Sequence, residues 1–134
     1  MKSLILLGIA LLLVGCGANG VVTDFAKQTS RISNMKIDGG GDLDIFTGGT
    51  LFSVPLKKIR SLRLRQEETV NVGEKHFVLA EVMFADGTKY GTFNANSPTP
   101  KAWVRSDQFL FGKSAGGKVR ILVGDIAKLD VTLE

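Results

Sequence analysis

Short apolar runs separated by glycine-rich turns constrain the fold of this chain most strongly. Asp86-Gly87 tolerates the positive φ angles of a type I′ hairpin turn, and Gly48-Gly49 is a second two-residue turn signal. After residue 15, no stretch of about 11 residues keeps the i, i+3, i+4 spacing of an amphipathic helix. The pattern predicts an all-β domain, either a small antiparallel barrel or a sandwich. The predicted strands cover residues 32–37, 43–46, 51–56, 59–64, 77–84, 89–93, 108–112, 118–123 and 126–133.

The cysteine count shows how such a domain must be stabilised. The chain of 134 residues has one cysteine, Cys16, so no disulfide can form within the domain. With 44% hydrophobic and 22% charged residues, the chain is too apolar to belong to the disordered class. About 100 folded residues can bury enough apolar surface for a stable core. Stability must therefore come from the core alone.

Two segments that lie far apart in the chain share an apolar pattern. When residues 54–64 are aligned with 121–131, apolar residues coincide at the first, third, sixth, ninth and eleventh positions. Each segment predicts a strand, a tight corner and a second strand entered through an isoleucine, Ile59 or Ile126. The alignment predicts two similar β-halves. The alternative is that any two neighbouring strands would give such a match.

A weaker echo extends this repeat upstream. Residues 35–39 resemble 83–87, but these two segments are closer together in the chain than the first two. The second half would therefore need an insertion that makes up the difference. The segment 94–102, rich in asparagine and proline, is the natural place for it. The second copy also resembles small β-domains of uncharacterised exported bacterial proteins, which implies a fold and no activity.

The first residues read as a targeting segment. Lys2 is followed by an uninterrupted apolar run over residues 4–14. A helix that spans a bilayer needs about 20 apolar residues, whereas this length suits the central region of a secretory signal peptide. The run ends in Leu13-Val14-Gly15-Cys16.

These four residues resemble the lipobox of bacterial lipoproteins. The resemblance implies that a signal peptidase recognises Leu13, Val14 and Gly15 and cuts before Cys16. It also implies that Cys16 carries a diacylglyceryl group and an N-acyl chain, which together anchor the protein stably to a membrane surface. No other cofactor is expected.

The resemblance also implies a location and a division of the chain. Gly17 rather than aspartate follows the cysteine, which favours the outer membrane facing the periplasm, or the outer face of the cytoplasmic membrane in a Gram-positive cell. The predicted parts are a signal peptide at 1–15, lipid attachment and a flexible tether with an entry strand at 16–31, and a single β-domain at 32–134.

Motifs for catalysis or metal binding are interpreted as structural. Gly112-Lys113-Ser114 lacks the glycine five positions earlier that a phosphate-binding loop requires, and is assigned to a hairpin turn. His76 is the only histidine and has no partner for a metal site or a nucleophile–base pair. The aspartates around Gly39–Gly41 do not match the spacing of a calcium loop. We therefore expect no metal site and no enzymatic activity.

The candidate binding residues lie near the predicted insertion. Trp103 and Arg105 follow the proline-rich connection, and a tryptophan beside an arginine suits stacking on a sugar or gripping a peptide. Tyr90 is the only tyrosine and is added to this set. The basic stretch 57–65 alternates with apolar residues and is assigned to a solvated strand face, and no nucleic acid is expected outside the cytoplasm.

Together these features predict a membrane-anchored exported lipoprotein whose non-catalytic β-domain binds a protein or glycan of the cell envelope. The alternative is a hydrolase that acts on an envelope polymer, with aspartates as acid and base.

Overall fold

The structure, a computed structural model, describes residues 17–132. This part of the chain forms eleven β-strands and two short 3-10 helices. The strands are β1 Ala18–Asp24, β2 Thr29–Ile37, β3 Asp42–Thr47, β4 Thr50–Pro55, β5 Ile59–Val72, β6 Lys75–Phe84, β7 Lys89–Tyr90, β8 Ala102–Arg105, β9 Phe109–Ser114, β10 Gly117–Leu122 and β11 Ile126–Thr132. The 3-10 helices, Leu56–Lys58 and Val123–Asp125, follow β4 and β10.

All strands belong to one antiparallel sheet. Its order is β10-β9-β2-β1-β11-β5-β6-β8-β3-β4, and β7 pairs with β6. Within residues 17–132 the end strands β10 and β4 do not pair with each other, so the sheet is open and sandwich-like rather than a closed barrel. The predicted all-β class is confirmed.

The strand order is symmetric about the pairing of β5 with β11. Leu62 and Leu129, which the repeat alignment equates, lie directly opposite each other in this pairing. Arg63 pairs with Lys128 and Ser61 with Asp130, so the register is also symmetric about the leucine pair. A pseudo-twofold axis therefore passes through this pair of leucines.

Equivalent strands on the two sides keep the spacing of the aligned segments. The same offset along the chain relates β3 to β9, β4 to β10, and the first 3-10 helix to the second. The corners also match: Ile59 N–H donates to the carbonyl of Leu56, and Ile126 N–H donates to that of Val123. The segments aligned in the sequence thus form equivalent elements.

Each side of the axis contains strands from both repeats. We call β1, β2 and β9–β11 the β10 half, and β3–β8 the β4 half. Strand β2 leads into β3 along the chain but pairs with β9, and β8 leads into β9 but pairs with β3. The connections 38–41 and 106–108 therefore cross between the halves, and each repeat gives its first strands to one half and its last strands to the other.

The upstream echo of the repeat, in which residues 35–39 match 83–87, is a wrong prediction. Met35 lies in β2 and Met83 in β6, and these strands are not equivalent. The symmetry instead matches Met35 with Val104, because Met35 pairs with Ala18 in the way that Val104 pairs with Val78.

The insertion lies where it was expected but is shorter. Val22 pairs with Leu129 and Val82 with Leu62, so β1 is equivalent to β6. The chain from Val82 to Val104 is longer than the equivalent chain from Val22 to Met35, so the extra residues lie between β6 and β8. Their number is about half of what the upstream echo implied.

Most of the predicted tether is part of the sheet. Strand β1, Ala18–Asp24, pairs with β2 on one side and β11 on the other. Ala18, Gly20 and Val22 face inward and are buried. Because the backbone is bonded along both edges, the folded domain begins at Ala18 rather than at residue 32.

The core lies inside the sheet and draws on both halves. Most equivalent inner positions are apolar on the two sides, and the 3-10 helices bury Leu56 and Val123 at the two corners. Examples of matched core pairs are Leu43 and Leu110, Ile59 and Ile126, and Leu62 and Leu129. Residues 17–132 thus contain a complete sheet with its core.

Candidate functional site

The outer face of the β4 half brings two of the predicted binding residues together. Alternate residues of a strand point to opposite faces, and Ala102 and Val104 of β8 are fully buried toward the inside. Trp103 and Arg105 therefore both point outward from β8, and both are half-buried.

Tyr90 does not join them. Its ring makes edge contacts with Phe52 and Phe84, with centroids 6.0 and 5.2 Å away. All three rings pack against the inner core cluster. The structure thus places Tyr90 with the core, on the opposite side of the sheet from Trp103.

An apolar patch lies around Trp103 on the outer face. In the sheet register, Trp103 stands between Phe46 of β3 and Leu79 of β6. Phe77 and Leu79 are buried although they point away from the inner core. The rings of Phe46 and Phe77 are 6.2 Å apart, and Leu51 on the edge strand is 41% exposed. The β4 half therefore has an outer apolar patch that ends in an exposed side chain.

A polar cluster continues this face beyond the aromatic residues. Asp44 of β3 is 9% exposed. Its Oδ1 accepts a hydrogen bond from Ser53 Oγ at 2.7 Å. Its Oδ2 lies 3.2 Å from Arg105 Nη1 and 3.4 Å from Lys75 Nζ. Arg105 Nε also donates to Asp107, so one arginine joins two carboxylates.

These contacts determine the charge state of Asp44. Burial alone raises the pKa of this carboxyl, but the hydrogen bonds from Ser53 and Arg105 and the charge of Lys75 outweigh it. The pKa of Asp44 is consequently lowered. The carboxylate is held ionised, and Arg105 is fixed in place by two acidic partners.

The polar cluster lies where the two connecting segments cross. Gln108 is 7% exposed; its Nε2 donates to the carbonyl of Asp42 and its Oε1 accepts the N–H of Asp44, both at 3.1 Å. Asp38 N–H donates to the carbonyl of Phe109 at 3.0 Å. An open cleft of about 400 Å³ lies here, lined among others by Asp38, Asp44, Ser53, Lys75, Arg105 and Asp107. The polar groups of this cleft can donate hydrogen bonds to a ligand and accept hydrogen bonds from it.

The other motifs take structural positions. Gly112–Ser114 lies at the end of β9 rather than in the predicted hairpin turn, which follows it and joins β9 to β10 where Ser114 pairs with Gly117. His76 is exposed, and its Nδ1 lies 2.7 Å from the side-chain oxygen of Asn71. Within residues 17–132, no group of three or more His, Cys, Asp or Glu side chains is placed to hold a metal ion.

Sequence reasoning missed the residues that fix Arg105. Asp44 stands in β3 between buried Leu43 and Ile45, where an aspartate alone signals only an outward position. Its contact with Arg105 joins residues 61 positions apart in the chain. Nothing local in the sequence could have paired them.

The predicted lipid attachment site lies outside the described residues. Leu13, Val14, Gly15 and Cys16 precede the first described residue, Gly17. Across residues 17–132 there is no helix of the length and hydropathy needed to cross a membrane.

Comparison with known proteins shows the fold alone. No protein-family model and no curated protein matches the chain. The solved structure of protein VPA1032 from Vibrio parahaemolyticus is similar, with a TM-score of 0.53 and 14% identity over 95% of this chain. The match spans 54% of that protein, about half of its length.

Proposed function

We propose that this chain is an exported lipoprotein, anchored in a membrane of the cell envelope through Cys16, whose β-domain binds a protein or glycan without catalysing a reaction. The observation that carries the binding proposal is the outer face of β8. There, Trp103 and Arg105 point the same way beside the exposed Leu51 and the crossover cleft.

The lipid anchor is supported by the lipobox-like residues and by the place where the domain begins. The sheet starts at Ala18, only two residues after Cys16. A lipid on that cysteine would hold the domain directly against the bilayer surface. In a Gram-negative cell this surface is the outer membrane on its periplasmic side.

Binding is supported by the preorganisation of the face. Tryptophan and arginine are the residue types that most often dominate binding energy. Arg105 is fixed by Asp44 and Asp107, and Trp103 is flanked by two neighbouring strands, so a partner would order few additional side chains. A tryptophan also offers a flat surface for a sugar ring.

The charge state of the cluster favours binding over the hydrolase alternative. A glycosidase needs one carboxyl with a raised pKa to act as the general acid. The pKa of Asp44 is lowered instead, and Asp44 and Asp107 share Arg105 as their counter-charge. Such an arrangement suits positioning an arginine rather than transferring a proton.

Crosslinking of the lipoprotein in intact cells, followed by mass spectrometry, tests the proposal. We expect Trp103→Ala with Arg105→Ala to abolish the capture of a specific partner, because losing one dominant contact weakens affinity roughly 10- to 30-fold. The matched control is Phe25→Ala with Arg60→Ala, which removes an exposed aromatic and an exposed arginine elsewhere.

Two outcomes would contradict the proposed binding face and the proposed lipid anchor separately. Unchanged capture by the Trp103 and Arg105 variant, with an unchanged melting temperature, would refute the binding face. A Cys16 without lipid in the mass spectrum of the mature N-terminus would refute the anchor.

A further inference from the structure

The outer face of the β10 half concentrates exposed cations. Lys36, Phe111 and Arg120 form one row across β2, β9 and β10, and Lys113 and Lys118 lie opposite each other in another. Arg31 lies on the same side of β2. The cations of this face, which we call the basic face, are Arg31, Lys36, Lys113, Lys118 and Arg120, all of them exposed.

These cations have no acidic partners in the described structure. None of the five forms an ion pair with a carboxylate of residues 17–132. Asp130, the nearby acid of β11, is paired with Lys128. Like charges directly opposite on neighbouring strands destabilise a sheet, as Lys113 and Lys118 do here. The positive charge of the basic face is therefore not neutralised by these residues, and the face suits contact with an anionic surface.

Aromatic side chains accompany the charges. Phe111 is 39% exposed in the centre of the basic face. The guanidinium of Arg120 lies 3.7 Å from the ring centroid of Phe109 and 6.0 Å from that of Phe111. Basic residues around exposed aromatic rings are typical of surfaces that lie in the headgroup region of a bilayer.

The start of the described chain lies beside the same face. Gly17 packs against the backbone of Asn34, whose neighbours in β2 are Ser33 and Met35. Strands in a sheet are about 4.8 Å apart, so the three steps from β1 to β10 cover roughly 15 Å. Across the strands, every cation of the basic face thus lies within roughly 15 Å of β1, the strand from which the chain continues to Cys16.

We propose that the basic face lies on the surface of a bilayer that contains anionic phospholipid. The five cations contact headgroup phosphates, and Phe111 enters the interface. This inference rests on the proposed lipid anchor, because lipid on Cys16 would hold this face at the membrane. The Trp103 face, in the other half of the sheet, is left for the partner.

Vesicle binding by residues 17–134 without lipid tests the surface itself. We expect binding to vesicles of phosphatidylcholine with phosphatidylglycerol, weakening as salt is added, and little binding to phosphatidylcholine alone. Lys113→Glu with Lys118→Glu should weaken binding about tenfold or more. Phe111→Ala should weaken it about threefold through loss of apolar burial.

The matched control is Arg60→Glu with Lys89→Glu. It changes the net charge by the same amount at two exposed positions of the β4 half, and should leave most of the binding intact. Melting temperatures confirm that each variant is folded.

Several results would overturn the inference. Equal weakening by both double variants would show attraction to the net charge rather than to a face. Binding that does not depend on phosphatidylglycerol would also refute it. So would a single-stranded oligonucleotide that displaces the protein from vesicles at low concentration, since the face would then be a nucleic-acid site.

The anchor and the surface can fail independently. If mass spectrometry finds Cys16 without lipid while the vesicle results hold, the anchor is wrong and the basic face is still a lipid surface. If Cys16 is acylated but the Lys113 and Lys118 variant binds vesicles like the wild type, the anchor stands and the basic face is refuted.

Discussion

The two halves of the sheet agree on the inside and differ on the outside. Toward the core, matched positions such as Leu43 and Leu110, both buried, carry the same kind of residue. On the outer face, the position of Asp44 in the β4 half is occupied by Phe111 in the β10 half, and that of Ser53 by Arg120. One half thus carries a neutralised polar cluster and the other an uncompensated basic surface. The shared inner core constrains the inner positions of both halves alike, whereas the outer positions can differ and serve two different contacts.

The halves also differ from ordinary repeats in how they are connected. Because β2 pairs with β9 and β8 pairs with β3, neither half can be formed from one repeat alone. Separating the halves would break the short pairing of β5 with β11. The two connections 38–41 and 106–108 would still join the halves covalently. We therefore expect the domain to unfold as a single cooperative unit.

The largest loss of stability is expected from changes to the leucine pair on the pseudo-twofold axis. Leu62 and Leu129 are each 1% exposed, and each repeat contributes one of them to the pair. Replacing either with alanine should lower the free energy of unfolding by about 3 kcal/mol, because each change leaves a cavity in the shared core. Urea unfolding of Leu62→Ala and Leu129→Ala measures the two costs, with Leu51→Ala as an exposed control. A large loss of stability at one leucine and almost none at the other would refute the symmetry of the core.

A smaller loss of stability is expected at a position where the inner faces of the two halves do not match. Ile45 in β3 corresponds to Gly112 in β9, and β2 approaches Gly112 closely at its bulge. A Cβ at Gly112 would lie 2.4 Å from Ile32 Cγ2 and 2.8 Å from the carbonyl oxygen of Ser33. Because a backbone carbonyl cannot move aside cheaply, Gly112→Ala should destabilise the protein by about 2 kcal/mol.

Gly116→Ala is the control for this change. A Cβ there would come no closer than 3.9 Å to any atom beyond its two chain neighbours, and Gly116 has no positive φ. Thermal unfolding should show no loss of stability for this variant. Equal losses at the two glycines would show that the approach of β2 does not explain Gly112.

The local pattern of the sequence predicted most of the strands, for a physical reason. The segment 51–56, the repeat copy 121–131 and the Asp86-Gly87 turn have period-2 alternation or turn chemistry that depends only on neighbouring residues. The sequence of strand β1 indicates only a tether with an extended lead-in, because two of its three inner positions, Ala18 and Gly20, are too small to give an apolar signal. Strand β8, Ala102–Arg105, was missed because it is too short to show an alternating pattern.

The exchange of strands could not be predicted in this way. The alternation of apolar residues shows which side of a strand faces the core, but not which strand lies next to it. The same limit applies to the candidate site. Trp103 and Arg105 share a face by strand periodicity, whereas Asp44 contacts Arg105 and Lys75 only through the pairing of β8 with β3 and β6. Residue type alone indicates Tyr90 as a binding residue, whereas its packing against the core cluster places it on the inner side.

The smallest effect, a dependence on pH, distinguishes the polar cluster of the β4 half from the exposed charges of the β10 half. The pKa of Asp44 is lowered in the folded protein, so its stabilising contribution is complete above the unfolded value of about 3.9 and is lost as the pH falls through the folded value. Asp44→Asn should lower the free energy of unfolding by about 1 kcal/mol at pH 7, because hydrogen bonds to a charged acceptor are stronger. The difference from wild type should shrink below about pH 4.

Asp130→Asn, at an exposed ion pair of β11, should change stability by less than about 0.5 kcal/mol. Denaturant unfolding of the three proteins between pH 7 and pH 2 measures these differences. A constant gap between wild type and Asp44→Asn across that range would show that the Asp44 charge does not stabilise the cluster.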